Sequence, residues 1–121
     1  MPNETILVVD DSPTEQKIVV STLTARGYRV ITANDGDEAI EKAGKEQPHL
    51  VVLDVVMPKK NGYQVCRQLK TADLTKKIKV ILLTSKNQES DKFWGMKQGA
   101  DAYLTKPYVA DELVNSITKL I

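Results

Sequence analysis

The stretch HLVVLDVVMPKKNGY, residues 49–63, decides the fold. It holds four consecutive apolar residues, Leu50 to Leu53, followed at once by the carboxylate of Asp54. A short continuous apolar run of this kind is typical of a parallel strand that is covered on both faces. The sequence therefore places a charged group where a buried strand ends, and that charge needs a chemical reason.

Similar runs lie on both sides of this stretch and alternate with helical patterns. The strand patterns cover residues 5–10, 28–33, 49–54, 79–84 and 102–105, and the helical patterns cover residues 13–26, 35–46, 61–70, 88–99 and 109–121. The second strand pattern mixes polar and apolar residues, which suits an edge of a sheet. Five strands and five helices in alternation predict an α/β fold, a doubly wound parallel sheet with right-handed crossovers.

The first and fourth helical patterns carry local signals at their ends. Ser12 followed by Glu15 fits a capping box, and Pro13 stands at the position of a first helical residue. Gly27 and Gly99 are residues that commonly follow the C-terminal end of a helix. These signals support the helix boundaries that the apolar periodicity indicates.

Composition limits the class of protein. The 121 residues suit one domain, residues 1–121, and a net charge of +1 argues against a surface that mainly binds polyanions. The single cysteine, Cys66, suits a reducing compartment and is expected in the core, as is one of the adjacent aromatics Phe93 and Trp94. No apolar run approaches the roughly 18 residues of a membrane span, and carboxylates occur too early for a signal peptide. We expect a cytoplasmic protein.

Reactive side chains stand at the ends of four of the five predicted strands. Asp10 and Asp11 follow the first strand, Asp54 ends the third, Thr84 ends the fourth, and Lys106 follows the fifth. Parallel strands bring their carboxyl ends to the same edge of a sheet, where open α/β sheets bind their ligands. The sequence therefore predicts that these side chains form one site.

The residue types at that edge favour phosphoryl chemistry. Three carboxylates in one crevice repel each other, and a divalent cation removes the repulsion. Mg²⁺ prefers oxygen ligands and typically takes one or two carboxylates together with phosphate oxygens. Lys106 adds a positive charge and Thr84 adds a hydroxyl donor. Asp54 is then the candidate nucleophile, with an aspartyl phosphate as its product.

The sequence resembles the receiver domain of two-component response regulators, the CheY-like family. The motifs that carry the resemblance are VVDDS (8–12), LDVVMPKKNG (53–62), LLTS (82–85) and YLTKP (103–107), and the likeness covers essentially the whole chain. It implies a flavodoxin-like sandwich with strand order 2-1-3-4-5. It also implies a signalling protein that catalyses only its own phosphorylation and dephosphorylation, with Mg²⁺ as cofactor and a sensor histidine kinase as phosphodonor.

The resemblance assigns a role to each residue of the predicted site. Asp54 is the phosphoacceptor. Asp11, Asp54 and the main-chain carbonyl of Val56 are expected to bind Mg²⁺ directly, and Asp10 is expected to act largely through water. Lys106 is expected to pair with the phosphoryl group or with Asp54.

Further roles concern the response to phosphorylation. Thr84 is expected to donate to a phosphoryl oxygen, and Tyr103, at the aromatic switch position, to turn inward. The fourth helix, fifth strand and fifth helix would then present a changed face to a downstream target protein. The Lys106-Pro107 bond is expected to be cis. Val56 and Lys86 stand where the family tunes dephosphorylation, and neither side chain offers an acceptor for water, so we expect slow self-dephosphorylation.

The biological setting follows from narrower likenesses. The chain ends with its fifth predicted helix, so we expect a stand-alone receiver without DNA-binding or membrane parts. The segments DDSPTE (10–15) and KNQESDKFWGMKQGADAYLTKP (86–107) look similar to receivers of twitching-motility and related chemotaxis-like systems. That likeness implies a role in motility or taxis control. The alternative is a receiver cut from a longer regulator with a separate effector domain.

Two other classes of function remain as rivals. A Mg²⁺-dependent phosphatase of the haloacid-dehalogenase type also uses an Asp nucleophile, but it wants a second Asp two residues later, where Val56 stands. A binding module could have kept the fold and lost phosphorylation, or could carry a flavin. A flavin carrier would need a phosphate-binding Gly/Ser/Thr-rich loop after the first strand. This sequence has DDSP (10–13) there, which would repel a phosphate without a metal.

Overall fold

The computed structural model describes residues 3–121, so the first two residues of the N-terminal stretch that was tested for a signal peptide lie outside it. The elements in chain order are β1 (Thr5–Val9), α1 (Pro13–Ala25), β2 (Arg29–Ala33), α2 (Gly36–Glu46), β3 (Leu50–Leu53), α3 (Gly62–Thr71), β4 (Lys79–Thr84), α4 (Glu89–Lys97), β5 (Ala102–Thr105) and α5 (Ala110–Leu120). All ten predicted elements are present, and their predicted ends are off by at most two residues.

The five strands form one parallel sheet in the order β2-β1-β3-β4-β5. The predicted α/β class and strand order are confirmed, and β2, with its mixed pattern, lies at an edge. Val9 of β1 pairs with both Ala33 of β2 and Leu53 of β3. Because this register aligns the last residues of the three strands, the residues that follow them emerge at the same edge of the sheet.

Helices cover both faces of the sheet, because successive strand residues point to opposite sides. One face packs against α1 and α5, and the other packs mainly against α2 and α3. The first core contains Ile6, Val8, Val19, Leu23, Leu50, Val52, Ile81, Leu83, Leu113 and Ile117, all nearly inaccessible to solvent. The second contains Leu7, Val9, Ala39, Ala43, Val51, Leu53, Val65, Cys66, Leu69, Val80 and Leu82. The expected core position of Cys66 is confirmed, and burial raises the pKa of its thiol to about 12.

Gly62, the first residue of α3, lies directly against the end of β3. A Cβ atom at this position would lie 2.7 Å from Cα of Val55 and 2.8 Å from the carbonyl carbon of Asp54. The amide of Gly62 donates to the carbonyl of Val55 at 2.9 Å. The missing side chain thus allows α3 to begin in contact with the main chain of the candidate phosphoacceptor.

Helix α4 corrects one expectation about the core. Phe93 and Trp94 are both exposed, at 64% and 51%, although one of them was expected to be buried. The inward position of α4 is Gly95, and a Cβ atom there would lie 2.8 Å from the ring of Tyr103. The Tyr103 ring occupies the space that an aromatic residue of α4 would need.

Across residues 3–121, the helices are too short or too polar to cross a bilayer.

Candidate functional site

Two buried carboxylates lie at the edge where β1 and β3 end. Asp10 is 4% exposed and Asp54 is 8% exposed. The amide of Asp10 donates to the carbonyl of Ala33 at 3.3 Å, and the amide of Asp54 donates to the carbonyl of Val9 at 3.1 Å. Each aspartate therefore extends the hydrogen bonding of its strand, and a rigid sheet holds both side chains in place.

Lys106 joins these carboxylates from the loop after β5. Its Nζ lies 3.2 Å from Oδ2 of Asp10, 3.2 Å from Oδ2 of Asp54 and 2.8 Å from Oε1 of Glu15. The amide of Lys106 donates to the carbonyl of Thr84 at 2.8 Å, which fixes the loop to the end of β4. The Lys106-Pro107 bond is cis, as expected. The structure therefore brings together three of the predicted site residues around one ammonium group.

Burial and neighbouring charges shift the pKa of two groups in this cluster, Asp10 and Lys106. Burial raises the pKa of Asp10, although the amide of Ser12 and the charge of Lys106 oppose the shift. Burial alone would lower the pKa of Lys106, but the hydrogen bond to Glu15 and the charges of Asp54 and Asp10 outweigh it and raise that pKa. Lys106 is therefore a fixed cation at neutral pH, and any further positive charge near Asp10 would stabilise the ionised form of its buried carboxyl group.

The oxygen donors at this edge suit a hard divalent cation. Asp10 and Asp54 lie within hydrogen-bond distance of the same ammonium, so each has an oxygen directed into one space. Asp11 is exposed at the rim and forms no hydrogen bond within residues 3–121. In that same range, no three His, Cys, Asp or Glu side chains are already grouped closely enough to hold a metal ion. The residues fit Mg²⁺ by type, and Asp11 would have to turn inward to complete the set.

Thr84 and Tyr103 are linked through the main chain of Lys86. Thr84 is fully buried, and its hydroxyl oxygen accepts from the amide of Lys86 at 3.3 Å. The hydroxyl of Tyr103 donates to the carbonyl of Lys86 at 2.8 Å, and burial raises its pKa. The Tyr103 ring already lies inside, whereas the sequence led us to expect an inward turn only after phosphorylation. Space beside Gly95 accommodates the ring in this position.

Val56 and Lys86 border a cavity of about 310 Å³ beside the end of β3. Val56 is 56% exposed, and Nζ of Lys86 lies 3.8 Å from Oδ1 of Asp91. The amide of Val56 donates to Oδ1 of Asp54 at 3.1 Å. Neither side chain places an acceptor beside the carboxylate of Asp54.

Two residues of α1, Glu15 and Gln16, belong to the site and were not predicted for it. Ser12 accepts from the amide of Glu15 at 3.3 Å, as a capping box requires, but the Glu15 carboxylate binds Lys106 and does not return to the helix start. The amide group of Gln16 donates to the carbonyls of Ala33 at 2.9 Å and Asp10 at 3.3 Å. The sequence could have indicated Glu15 and Gln16 only through their position, because the first turn of α1 begins at the edge of the sheet where the strands end.

The chain matches the protein family described as "Response regulator receiver domain" over residues 6–118. It is 43% identical to Protein PilH of Pseudomonas aeruginosa over 96% of each chain. It is 45% identical to the alkaline phosphatase synthesis transcriptional regulatory protein PhoP of Bacillus subtilis over 98% of this chain but 48% of that protein. The chain thus spans nearly all of one relative and about half of the other.

A solved structure agrees with the fold at the level of the whole chain. Chemotaxis protein CheY4 of Vibrio cholerae superposes with a TM-score of 0.92 at 30% sequence identity, over 99% of this chain and 100% of that chain. The resemblance that was inferred from the four sequence motifs is confirmed by these comparisons.

Proposed function

Because the chain belongs to the response regulator receiver domain family, we propose that it accepts a phosphoryl group on Asp54 from a sensor histidine kinase. The observation that carries the proposal is the ammonium of Lys106, which lies 3.2 Å from the carboxylates of both Asp10 and Asp54. A fixed cation beside a rigidly held carboxylate is what transfer of an anionic phosphoryl group requires.

In the proposed reaction, an oxygen of Asp54 attacks the phosphorus atom of a phosphohistidine. The phosphorus–nitrogen bond breaks, and its electron pair stays with the imidazole of the donor. Lys106 would donate to a phosphoryl oxygen, and Thr84 would do the same after its hydroxyl turns from the amide of Lys86. Mg²⁺ held directly by Asp11, Asp54 and the carbonyl of Val56, and by Asp10 largely through water, would neutralise charge on the phosphoryl oxygens.

The proposed output surface consists of α4, β5 and α5. Phe93 and Met96 of α4 are 64% and 42% exposed. They stand three residues apart on the helix and so lie on the same face, and adjacent exposed apolar side chains are typical of surfaces that bind proteins. The bond from Tyr103 to the carbonyl of Lys86 connects this surface to the loop that follows Thr84. A shift of that loop on phosphorylation would therefore reach the face on which a target protein binds.

The proposed setting is a cytoplasmic two-component system that controls motility or taxis. Similarity to Protein PilH over nearly its full length and to a chemotaxis protein supports this setting and a stand-alone receiver. The match to about half of a transcriptional regulator keeps the alternative of a longer chain with an effector domain. No side chain in the site favours the phosphatase alternative, because Val56 occupies the position of its second aspartate.

Intact-protein mass spectrometry after incubation with acetyl phosphate and Mg²⁺ tests the proposal. We expect the mass of one phosphoryl group on the wild type and none on Asp54→Asn. A wild type that stays unmodified while a receiver of known activity is phosphorylated in parallel would refute phosphoacceptor function. Repeated turnover of small phosphate esters would instead favour the phosphatase.

A further inference from the structure

The ammonium of Lys106 has as many acceptors as it has protons to donate. A lysine ammonium carries three N–H donors and no acceptor. Its partners are Oε1 of Glu15 at 2.8 Å and the Oδ2 atoms of Asp10 and Asp54, both at 3.2 Å. For Lys106 to donate to a phosphoryl oxygen, one of these three hydrogen bonds has to break.

Glu15 is the partner that can leave at least cost. Its side chain is 47% exposed, whereas those of Asp10 and Asp54 are 5% and 10% exposed. A released Glu15 would be hydrated at once, while either aspartate would remain buried with a charge that has lost its cation. Glu15 also lies in the first turn of α1, where the helix dipole stabilises a free carboxylate.

We propose that Glu15 is a positioning residue that competes with the phosphoryl group for Lys106 and thereby restrains phosphorylation of Asp54. The inference rests on the proposed phosphorylation of Asp54. Glu15 opposes the reaction in two ways, because it occupies an N–H donor of Lys106 and places a negative charge beside the incoming phosphoryl oxygens. Replacing Glu15 with Gln keeps the size and an acceptor but removes the charge.

The size of the effect follows from Coulomb's law. Two groups that bind the same ammonium lie about 6 Å apart. Removing one charge at that distance, with an effective dielectric constant between about 40 and 80, changes the phosphorylation rate by about 3- to 10-fold. Because Glu15 is about half exposed, dissolved salt should screen much of this effect. The direction of the effect is also predicted, because loss of the negative charge should increase the phosphorylation rate and strengthen binding of a phosphoryl mimic.

The test compares wild type, Glu15→Gln and a matched control, Glu41→Gln. Glu41 is exposed on α2, and its side chain forms no hydrogen bond or ion pair within residues 3–121, so its replacement by Gln changes only the net charge. Initial rates of phosphorylation by acetyl phosphate, in which Asp54 attacks phosphorus and acetate leaves with the electron pair, are measured at saturating Mg²⁺. Affinity for beryllofluoride with Mg²⁺ is measured in parallel by NMR titration.

We expect Glu15→Gln to be about 3- to 10-fold faster than wild type at low salt and to bind beryllofluoride more tightly, with both gains shrinking at high salt. Glu41→Gln should match the wild type. If Glu15→Gln is phosphorylated at the same rate as Glu41→Gln, the inference is overturned. The proposed function still holds in that case, provided that the wild type is phosphorylated. A slower rate would show that Glu15 orients Lys106 productively and would overturn it as well.

A second variant covers poor folding of Glu15→Gln. Glu15→Asp keeps the charge but withdraws the carboxylate from Lys106 by one methylene, so a rate above that of wild type is expected, and a rate equal to or below that of wild type contradicts the competition. If the wild type itself accepts no phosphoryl group, the proposed function and this inference fail together.

Discussion

Replacing Gly62 with Ala should damage both stability and phosphorylation. The new methyl group would lie 2.7 Å from Cα of Val55, 2.8 Å from the carbonyl carbon of Asp54 and closer still to its carbonyl oxygen. Carbon atoms in contact ordinarily stay about 3.5 to 4.0 Å apart, so α3 and the end of β3 would have to separate by about 1 Å. Both partners are main chain, and no side-chain rotation relieves the clash.

The cost of this separation can be estimated. Overpacking typically costs about 1 to 3 kcal/mol and occasionally more, and a clash with main chain belongs to the upper end, so we expect about 3 kcal/mol of lost stability. A misplacement of about 1 Å at a reacting group can cost about 10²-fold in rate. Because the displaced main chain is that of Asp54 itself, phosphorylation should fall by about this factor even where the variant remains folded.

Gly44→Ala is the matched control. Its methyl group would lie 3.3 Å from Cδ2 of Leu74, whose side chain is 66% exposed and can move aside. Gly44 lies in the interior of α2, where alanine is favoured over glycine by about 1 kcal/mol. This variant should therefore be slightly more stable than wild type and phosphorylated at the same rate.

Urea denaturation followed by circular dichroism measures the stabilities, and intact-protein mass spectrometry after brief exposure to acetyl phosphate measures the rates. Rates are compared at a temperature where each variant is folded. Surface substitutions usually change the free energy of unfolding by no more than about 0.5 kcal/mol. If the free energy of unfolding of Gly62→Ala lies within that margin of the wild-type value and its phosphorylation rate equals that of wild type, the reasoning about close approach is wrong.

Three further predictions concern single sites. Lys59 has a φ of 67°, so Lys59→Gly should raise the free energy of unfolding by about 0.5 to 1 kcal/mol in urea denaturation, and an unchanged value would show that the loop relaxes in solution. The hydrogen bond from the amide of Asn34 lowers the pKa of Glu38 from its ordinary value of 4.5, so Glu38 stabilises the fold above that pH and the benefit is lost as pH falls through the lowered pKa. Glu38→Gln should therefore cost about 0.5 to 1 kcal/mol at pH 7 and progressively less as the pH falls below 4.5, and a cost that does not change with pH would contradict the assignment. Because Val56 and Lys86 offer no acceptor for water, we expect the phosphorylated protein to persist for minutes or longer and Val56→Asn to shorten its lifetime. Mass spectrometry at successive times measures the loss of the phosphoryl group, and a loss from wild type within seconds would refute this expectation.

Much of the fold is encoded in local patterns. The continuous apolar runs at β1, β3 and β4 predict covered parallel strands, and the mixed run at β2 predicts an edge. Helix starts carry side-chain caps, such as Asp35, whose carboxylate accepts from the amide of Glu38 at 2.8 Å. The site residues could be named because parallel strands bring their last residues to one edge.

The errors arose where a long-range contact outweighed a local pattern. Glu15 fits a capping box by spacing, but a lysine 91 residues away in the sequence offers its carboxylate a stronger, charge-assisted bond. Phe93 and Trp94 stay exposed because the Tyr103 ring of the neighbouring strand fills the space beside Gly95. The inward position of Tyr103 itself depends on the loop at Lys86, which no short-range pattern describes.

The most direct test of the central claim is to locate the phosphoryl group on the chain. Protein treated with acetyl phosphate and Mg²⁺ is reduced with borohydride, which converts an aspartyl phosphate to homoserine, and is then digested and mapped by mass spectrometry. We predict homoserine at position 54 and unmodified aspartate at Asp10 and Asp11. Homoserine at another aspartate, with position 54 unmodified, would contradict the assignment of Asp54 as the phosphoacceptor.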